Sequence, residues 1–196
     1  MFTSVILGAG KSTRMKANKS KLLFSIAGKP VINHIISTLK EAKSKKIICV
    51  INKNSPGIKK ILDEEKVNFA YQTVLNGTAG AVKAALNKKS ISNSKFLIVC
   101  GDAPFIKSGS IKRLVSKLKS YDAVIGTFEP DSPRGYGRIL REDNQLISIV
   151  EEKDATPQQR QIREVNTGIV AIHEKTLRQF ISQVKNNNTK KEYYLG

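Results

Sequence analysis

Val5-Ile-Leu-Gly-Ala-Gly-Lys-Ser-Thr-Arg-Met15, followed by Lys19-Ser-Lys21 and Gly28-Lys-Pro30, decides how the rest of this chain reads. A short apolar run ends in glycines, the glycines open a basic, hydroxyl-bearing loop, and a helix-like pattern begins near Pro30. That order suits a polyphosphate site. Glycines admit backbone N–H groups close to phosphate oxygens, and Lys11, Arg14 and Lys21 supply positive charge. Two commoner phosphate motifs do not fit. A Walker A loop ending on Gly10-Lys11-Ser12 would place its first glycine on Val5. The Rossmann G-x-G-x-x-G begins on Gly8 and Gly10 but meets Thr13 at its third glycine. For this segment alone, an ordinary glycine-rich strand-to-helix turn remains the alternative.

Outward from the loop, strand-like and helix-like runs alternate. Strands are expected over 2–7, 47–51, 67–72, 96–100 and 123–128, and helices over 31–42, 55–65, 78–86 and 110–118. In the first helix Val31, His34, Ile35 and Leu39 share one face. This β-α-β alternation predicts an α/β fold with a doubly wound, mostly parallel sheet and helices on both faces. The pattern changes after Glu129. A loop over 129–137 leads to a short hairpin around Asp143-Asn144, then a charged segment over 153–163, a strand over 165–172 and a helix over 174–184. The expected organisation is one domain over 1–196. Its nucleotide-binding part is 1–128, and 129–196 forms an insertion-like, antiparallel second lobe covering the strands' carboxyl ends. The chain stops just after Tyr193-Tyr194, which reads as a clipped C-terminus.

Composition narrows the class. The chain has 196 residues, 40% of them hydrophobic, enough for one sizeable core. Cys49 and Cys100 both fall in apolar strand-like runs and read as buried thiols, not as a disulfide. No signal-peptide pattern and no long apolar run is visible, so a cytoplasmic protein without a membrane partner is expected. The net charge of +18 would suit nucleic acid, but the lysines are scattered over 40–46, 59–60, 88–89, 112–119 and 185–191. They carry no aromatic interleaving and no nucleic-acid-binding motif, so no nucleic-acid partner is expected.

Two further constellations carry chemistry. Phe96-Leu-Ile-Val-Cys-Gly-Asp-Ala-Pro-Phe105 delivers Asp102 to the carboxyl end of a strand, where a carboxylate can hold Mg²⁺. The same Asp could instead initiate a turn beside Pro104. Gln72 followed by Asn76-Gly-Thr-Ala-Gly80 offers a primary amide and a backbone-rich turn that could read a pyrimidine edge. Thr78 could equally serve as a helix N-cap.

The opening loop resembles the signature loop of the sugar-phosphate nucleotidyltransferases. With Gly135-Tyr-Gly-Arg-Ile139, Ile149-Val-Glu-Glu-Lys-Asp-Ala155, Gln159-Arg-Gln161, Glu164-Val-Asn-Thr-Gly168, Asn186-Asn-Asn188 and Glu192-Tyr-Tyr194, the resemblance narrows. The chain is similar, over nearly its whole length, to the uridylyltransferase domain of the bacterial bifunctional N-acetylglucosamine-1-phosphate uridylyltransferase/glucosamine-1-phosphate acetyltransferase. The resemblance implies a nucleotide-diphospho-sugar transferase, Rossmann-like fold with a small antiparallel sugar-binding lobe. It implies Mg²⁺-dependent transfer of UMP from UTP to N-acetylglucosamine-1-phosphate, giving UDP-N-acetylglucosamine, a cell-wall precursor, and pyrophosphate. A nucleotidyltransferase for another sugar-1-phosphate, or a nucleotide-sugar-binding module without turnover, are the alternatives.

The roles implied are these. Leu7, Gly8, Ala9 and Gly10 contact the nucleotide and its phosphates. Arg14 stabilises the departing pyrophosphate and Lys21 holds a phosphate oxygen at the reacting centre. Gln72, Gly77 and Thr78 recognise uracil. Cys100, Gly101 and Asp102 lie against the nucleotide, with Asp102 on Mg²⁺. Gly137, Glu151 and Asn166 hold the sugar, Glu151 and Asn166 by pairing with its hydroxyls and amide; the alternatives are a solvated strand-end charge for Glu151 and a turn residue for Asn166. Ser12 replaces a family glycine, Gly8 a family alanine and Ser20 a family proline, which leaves Lys21 less rigidly placed. The family's second metal ligand, a later Asn, and its hexapeptide-repeat acetyltransferase domain have no counterpart in this sequence. Because that domain carries the family's trimer contacts, a monomer is expected.

Overall fold

The computed structural model of the chain describes residues 1–10, 20–87, 95–189 and 191–195. Ten strands and five helices are present among them: β1 (Thr3–Leu7), β2 (Ser25–Ile26), β3 (Lys29–Pro30), α1 (Val31–Glu41), β4 (Lys46–Ile51), α2 (Pro56–Glu64), β5 (Asn68–Tyr71), α3 (Thr78–Leu86), β6 (Lys95–Cys100), α4 (Ser108–Lys117), β7 (Ala123–Phe128), β8 (Arg138–Glu142), β9 (Gln145–Val150), β10 (Val165–His173) and α5 (Glu174–Gln183).

Eight strands form one sheet in the order β5-β4-β1-β6-β10-β8-β9, with β7 on β10. The pairs β4–β5, β1–β4 and β1–β6 are parallel, whereas β10 runs antiparallel to β6, β7 and β8. Only β9 and β10 oppose the other strands of this sheet, as a doubly wound, mostly parallel architecture requires. The antiparallel part is joined to this sheet. Val165 pairs with Arg138, so β10 carries the β8–β9 hairpin as a continuation of the same sheet.

Strand periodicity sorts the core into two layers. Ile6, Cys49, Ile51, Leu97 and Val99 face the layer built with α1, α2 and α4. Their neighbours Val5, Ile48, Val50, Phe96 and Ile98 face the layer built with α3 and α5. Helix α1 fully buries Ile32, Ile35, Ile36 and Leu39. Each such side chain contributes roughly 1.5–3 kcal/mol by leaving water. His34 lies at the edge of that face, with Nε2 2.8 Å from the Ile26 carbonyl, so the buried stripe runs through Ile32 and Ile36 instead. Pro56 opens α2, where its missing N–H is not needed.

The ends of β1, β4 and β6 meet closely. The Gly8 N–H donates to the Val50 carbonyl at 2.8 Å, and Gly101 N–H to the Leu7 carbonyl at 3.0 Å. A Cβ on Gly101 would stand 2.8 Å from that carbonyl oxygen and 2.9 Å from Leu22 Cδ2. Leu22, 1% exposed, packs over both glycines from a 3-10 turn over Lys21–Leu23. Gly101→Ala is therefore expected to destabilise by about 1–3 kcal/mol through overpacking against backbone. Gly109→Ala, on an open surface of α4, should not destabilise. Thermal unfolding of the two variants checks the contrast.

Candidate active site

The crevice lies at the carboxyl ends of β1 and β6, adjacent parallel strands from which the chain leaves toward opposite edges of the sheet, to β4 and to β7. Two adjoining cavities open there. The first, about 480 Å³, is lined by Leu7, Ala9, Gly10, Lys21, Gln72, Gly77, Thr78, Cys100 and Asp102, together with Leu75, Ala81 and Glu192. The second, about 440 Å³, shares Leu7, Thr78 and Cys100 with it and adds Ile149, Glu151, Asn166 and Gly168. A larger concavity of about 1000 Å³ between α4 and β7 touches the expected site only at Cys100 and Asp102. The placement of the expected residues, not size, identifies the crevice.

Each expected residue has a definite place, except Arg14, which lies outside the described residues. Gly8 and Gly101 do not line the cavities. They form the floor, where their lack of a side chain lets the strand ends close up. Lys21 starts the 3-10 turn after Ser20, whose hydroxyl accepts from the Leu22 N–H at 3.4 Å. Ser20 thus caps the turn, and with buried Leu22 it fixes Lys21 where a looser placement was expected. The Lys21 ammonium makes an ion pair with the Asp102 carboxylate. That pair joins the start of the chain to the end of β6. It accounts for Asp102 better than a turn-initiating role.

On the other wall, Gln72 is buried at 7% exposure. Its Nε2 donates to the Gly77 carbonyl at 3.1 Å and to Asn76 Oδ1 at 3.3 Å. These donors brace the loop before α3, leaving the carbonyl end of the amide as the group free of that bracing. Thr78 is not the N-cap of α3; Gly77 is, and no side chain caps it. Thr78 Oγ1 instead accepts from the Leu195 N–H at 2.9 Å. The C-terminal tail also pairs by backbone, Tyr193 N–H to the Asn76 carbonyl at 2.7 Å and Ala79 N–H to the Tyr193 carbonyl at 2.9 Å. Gly77, at φ +109°, permits this approach, since a Cβ there would stand 2.4 Å from the Tyr193 oxygen. The tail contributes Glu192 to the first cavity and Tyr194 and Leu195 to the second. Sequence reasoning assigned these three no role, although Glu192-Tyr-Tyr194 had been recognised as a motif.

Glu151 and Asn166 line the second cavity, and Gly137 lies behind them without lining it. A Cβ on Gly137 would meet Glu151 Oε1 at 3.4 Å, and Asn166 N–H donates to the Gly137 carbonyl at 2.9 Å. Asn166 Oδ1 accepts from Gly168 N–H at 2.9 Å, so it holds a turn and lines the cavity at once. Glu151 is half-buried at the end of β9, not a fully solvated charge.

Burial governs the titration of the crevice. The Cys100 thiol is pushed up to about 11, first by burial and then by the Asp102 and Glu151 charges, against a lowering by Lys21. Tyr194 is raised to about 12 by burial, Glu192 and Glu151. Cys49, fully buried, is raised to about 12 by burial alone. Both cysteines are free thiols. As a metal position, Asp102 offers a hard oxygen ligand in a cavity that also holds Glu192. Among the described residues no group of three or more His, Cys, Asp and Glu side chains is arranged to hold a metal. A cation that keeps waters and phosphate oxygens in its shell, as Mg²⁺ does, fits one carboxylate of this kind. No helix among the described residues is long and apolar enough to cross a membrane.

The fold is one shared by solved structures of sugar-phosphate nucleotidyltransferases. The chain superimposes with a TM-score of 0.75 on UDP-glucose pyrophosphorylase complexed with UDP-glucose, at 17% identity over 99% of this chain and 83% of that one. A Bacillus anthracis protein assigned as a glucose-1-phosphate thymidylyltransferase, solved with sucrose, gives 0.73 at 18% identity, covering 98% of this chain and 78% of that chain. Residues 4–187 match the MobA-like NTP transferase domain, and the chain belongs to that family of nucleotidyltransferases. In sequence it is 38% identical over 192 residues to the bifunctional protein GlmU of Marinobacter nauticus, covering 97% of this chain and 42% of the relative. It is 37% identical over 195 residues to that of Staphylococcus saprophyticus, covering 98% and 43%. The chain therefore spans less than half the length of these relatives.

The raised thiols give a test of the crevice. With an unfolded value near 9.0, Cys100 stabilises the native state fully below that pH. That contribution is lost as pH rises through about 11, since the unfolded thiol ionises first. Iodoacetamide at pH 8 is expected to leave both cysteines unmodified in the native protein and to alkylate both after unfolding. Rapid native labelling of Cys100, read by mass spectrometry, would contradict the packed crevice.

Proposed function

We propose that this chain is a single nucleotidyltransferase domain that transfers UMP from UTP to N-acetylglucosamine-1-phosphate, releasing pyrophosphate. The observation carrying this reading is the pair of adjoining cavities with a common wall of Leu7, Thr78 and Cys100. One is edged by the end of the glycine loop, Lys21 and Asp102, and the other by Glu151 and Asn166. A nucleotide in the first and a sugar phosphate in the second would bring their phosphates together at that wall. The identity to two GlmU proteins supports the choice of uracil and of N-acetylglucosamine.

In this reading a sugar-1-phosphate oxygen attacks the α-phosphorus of UTP, the α–β bridging bond breaks, and pyrophosphate leaves with the bonding pair. No side-chain nucleophile is needed. Lys21 holds a phosphate oxygen at the reacting centre, and Arg14 receives the charge of the leaving pyrophosphate. Gly10 and its neighbours present backbone N–H groups to the phosphates. Gln72, Gly77 and Thr78 contact the base. Glu151, Asn166 and the bare backbone at Gly137 select an acceptor whose hydroxyls and amide satisfy them, since a sugar lacking those groups leaves buried polar atoms unpaired. Asp102 would hold Mg²⁺, which neutralises and orients phosphate oxygens when bound. The Lys21 ammonium already offsets the Asp102 charge in the free protein. A cytoplasmic site of action and a monomer complete the proposal.

The experiment is pyrophosphate release by the 196-residue chain from UTP and N-acetylglucosamine-1-phosphate with Mg²⁺. Turnover is expected to fall at least about a hundredfold in Asp102→Ala with the fold retained, and to stop on chelation of the metal. Faster turnover of a sugar-1-phosphate without the acetamido group would reject the proposed acceptor. Wild-type-like turnover by Asp102→Ala would remove the metal assignment.

A further inference from the structure

Arg138 carries the largest side chain among the fully buried residues described, at 1% exposure. A buried guanidinium is weak evidence for stability, because a packed apolar side chain of similar volume often does as well or better. What an apolar side chain cannot do is hand several fixed N–H donors to separate loops. Arg138 does this. One terminal nitrogen, Nη1, donates to the Tyr136 carbonyl. The other, Nη2, lies 2.8 Å from Glu152 Oε2 and donates to the Arg160 carbonyl at 3.2 Å, with Nε 3.4 Å from the same carbonyl. Glu152 turns back on the first loop, its Oε2 accepting from the Gly135 N–H at 3.1 Å. The Arg160 Nε donates to the Glu152 carbonyl at 3.3 Å and closes the circuit.

Three segments are tied at this point: the loop over 135–137, the turn after β9 that begins with Glu151, and the 3-10 turn over Gln159–Gln161. Two of them carry the acceptor contacts. Gly137 lies between the anchored Tyr136 carbonyl and Arg138 itself, and Glu151 immediately precedes the anchored Glu152. Burial alone would raise the Glu152 carboxyl. The Gly135 amide and the Arg138 guanidinium outweigh it and hold the group below the ordinary carboxylate range. The clamp is therefore charged throughout the neutral range.

We propose that Arg138 is a positioning residue for the acceptor cavity, fixing the distance between Gly137 and Glu151 through Tyr136, Gly135 and Glu152. It touches no substrate, and it lines neither cavity of the crevice. The proposal rests on the acceptor reading of the second cavity for its consequence, but not for its mechanics. Arg138→Met keeps an unbranched apolar stem that reaches about as far as Nε and removes every donor. Glu152→Gln keeps an acceptor for Gly135 and removes the charge.

Both variants are expected to raise the KM for N-acetylglucosamine-1-phosphate, about tenfold or more for Arg138→Met and less for Glu152→Gln, with the KM for UTP changed less than about twofold. In the free proteins, amide hydrogen exchange over 133–140 should quicken while exchange in β1 and β6 stays as in the wild type. Glu152→Gln decides the matter if Arg138→Met does not fold. Equal loss for both substrates, or wild-type acceptor KM and wild-type exchange in a folded variant, overturns the proposal. If the wild type turns over a different sugar-1-phosphate, the acceptor assignment fails and the same split is read on that acceptor. If it turns over none, the exchange measurement alone decides whether Arg138 holds the loop.

Discussion

The close approach of three strand ends at Gly8 and Gly101 is the constraint on which the crevice depends. Their amides extend the ladders of β1 with β4 and β6 by one step beyond the regular strands. A side chain at Gly101 would strike backbone. Because the space above both glycines is free of Cβ atoms, Leu22 can fill it. Leu22 in turn fixes the short turn that starts with Lys21, and Lys21 reaches Asp102 at the end of β6. A packing fact thus places a charge. Displacing Leu22 would loosen the ammonium, although neither its charge nor its hydrogen bonds had been touched.

Charge in this protein is distributed in a way the net value hides. The chain carries +18, yet Asp102 and Glu192 line the first cavity and Glu151 the second. The raised values of Cys100 and Tyr194 register those carboxylates after burial. A positive field over the whole surface draws anionic ligands inward. Locally negative walls then favour the parts of a ligand that donate hydrogen bonds, or a cation that accompanies it. The scattered lysines and the carboxylates of the cavities are suited to an anionic ligand that brings hydrogen-bond donors or a cation with it.

The fold was legible because strand periodicity survives in the sequence. Val5 and Ile6, or Ile98 and Val99, alternate between two core layers in the way the apolar runs indicate. The crevice residues were legible because they sit at strand ends, where glycine and aspartate interrupt apolar runs. What escaped were contacts between distant parts of the chain. Thr78 reads locally as a helix cap, but its hydroxyl is taken by Leu195, which no local pattern announces. The hairpin β8–β9 reads as an inserted lobe, since the single pair Val165–Arg138 that joins it to the sheet leaves no periodic trace. Arg138 enters the sequence reading only inside the Gly135–Ile139 motif, with no role of its own. Its burial follows from three segments converging on it. Residues 11–19, with Lys11 and Arg14, lie outside the described residues.

The tail shows how the two cavities come to be one site. It runs extended beside the loop before α3, pairing through the backbone of Tyr193 on both sides. Glu192 lines the cavity of Lys21 and Asp102, and Tyr194 and Leu195 line that of Glu151 and Asn166. Leu195 packs into the α3–α5 core layer and holds the segment down. The tail is therefore a structural element of both walls, anchored at Gly77 and Thr78, the residues that border the first cavity. A shift of the loop before α3 must carry the tail with it, and through Tyr194 it must alter the second cavity. Gln72, which braces that loop with both hydrogen bonds of its Nε2, consequently influences the far cavity without lining it.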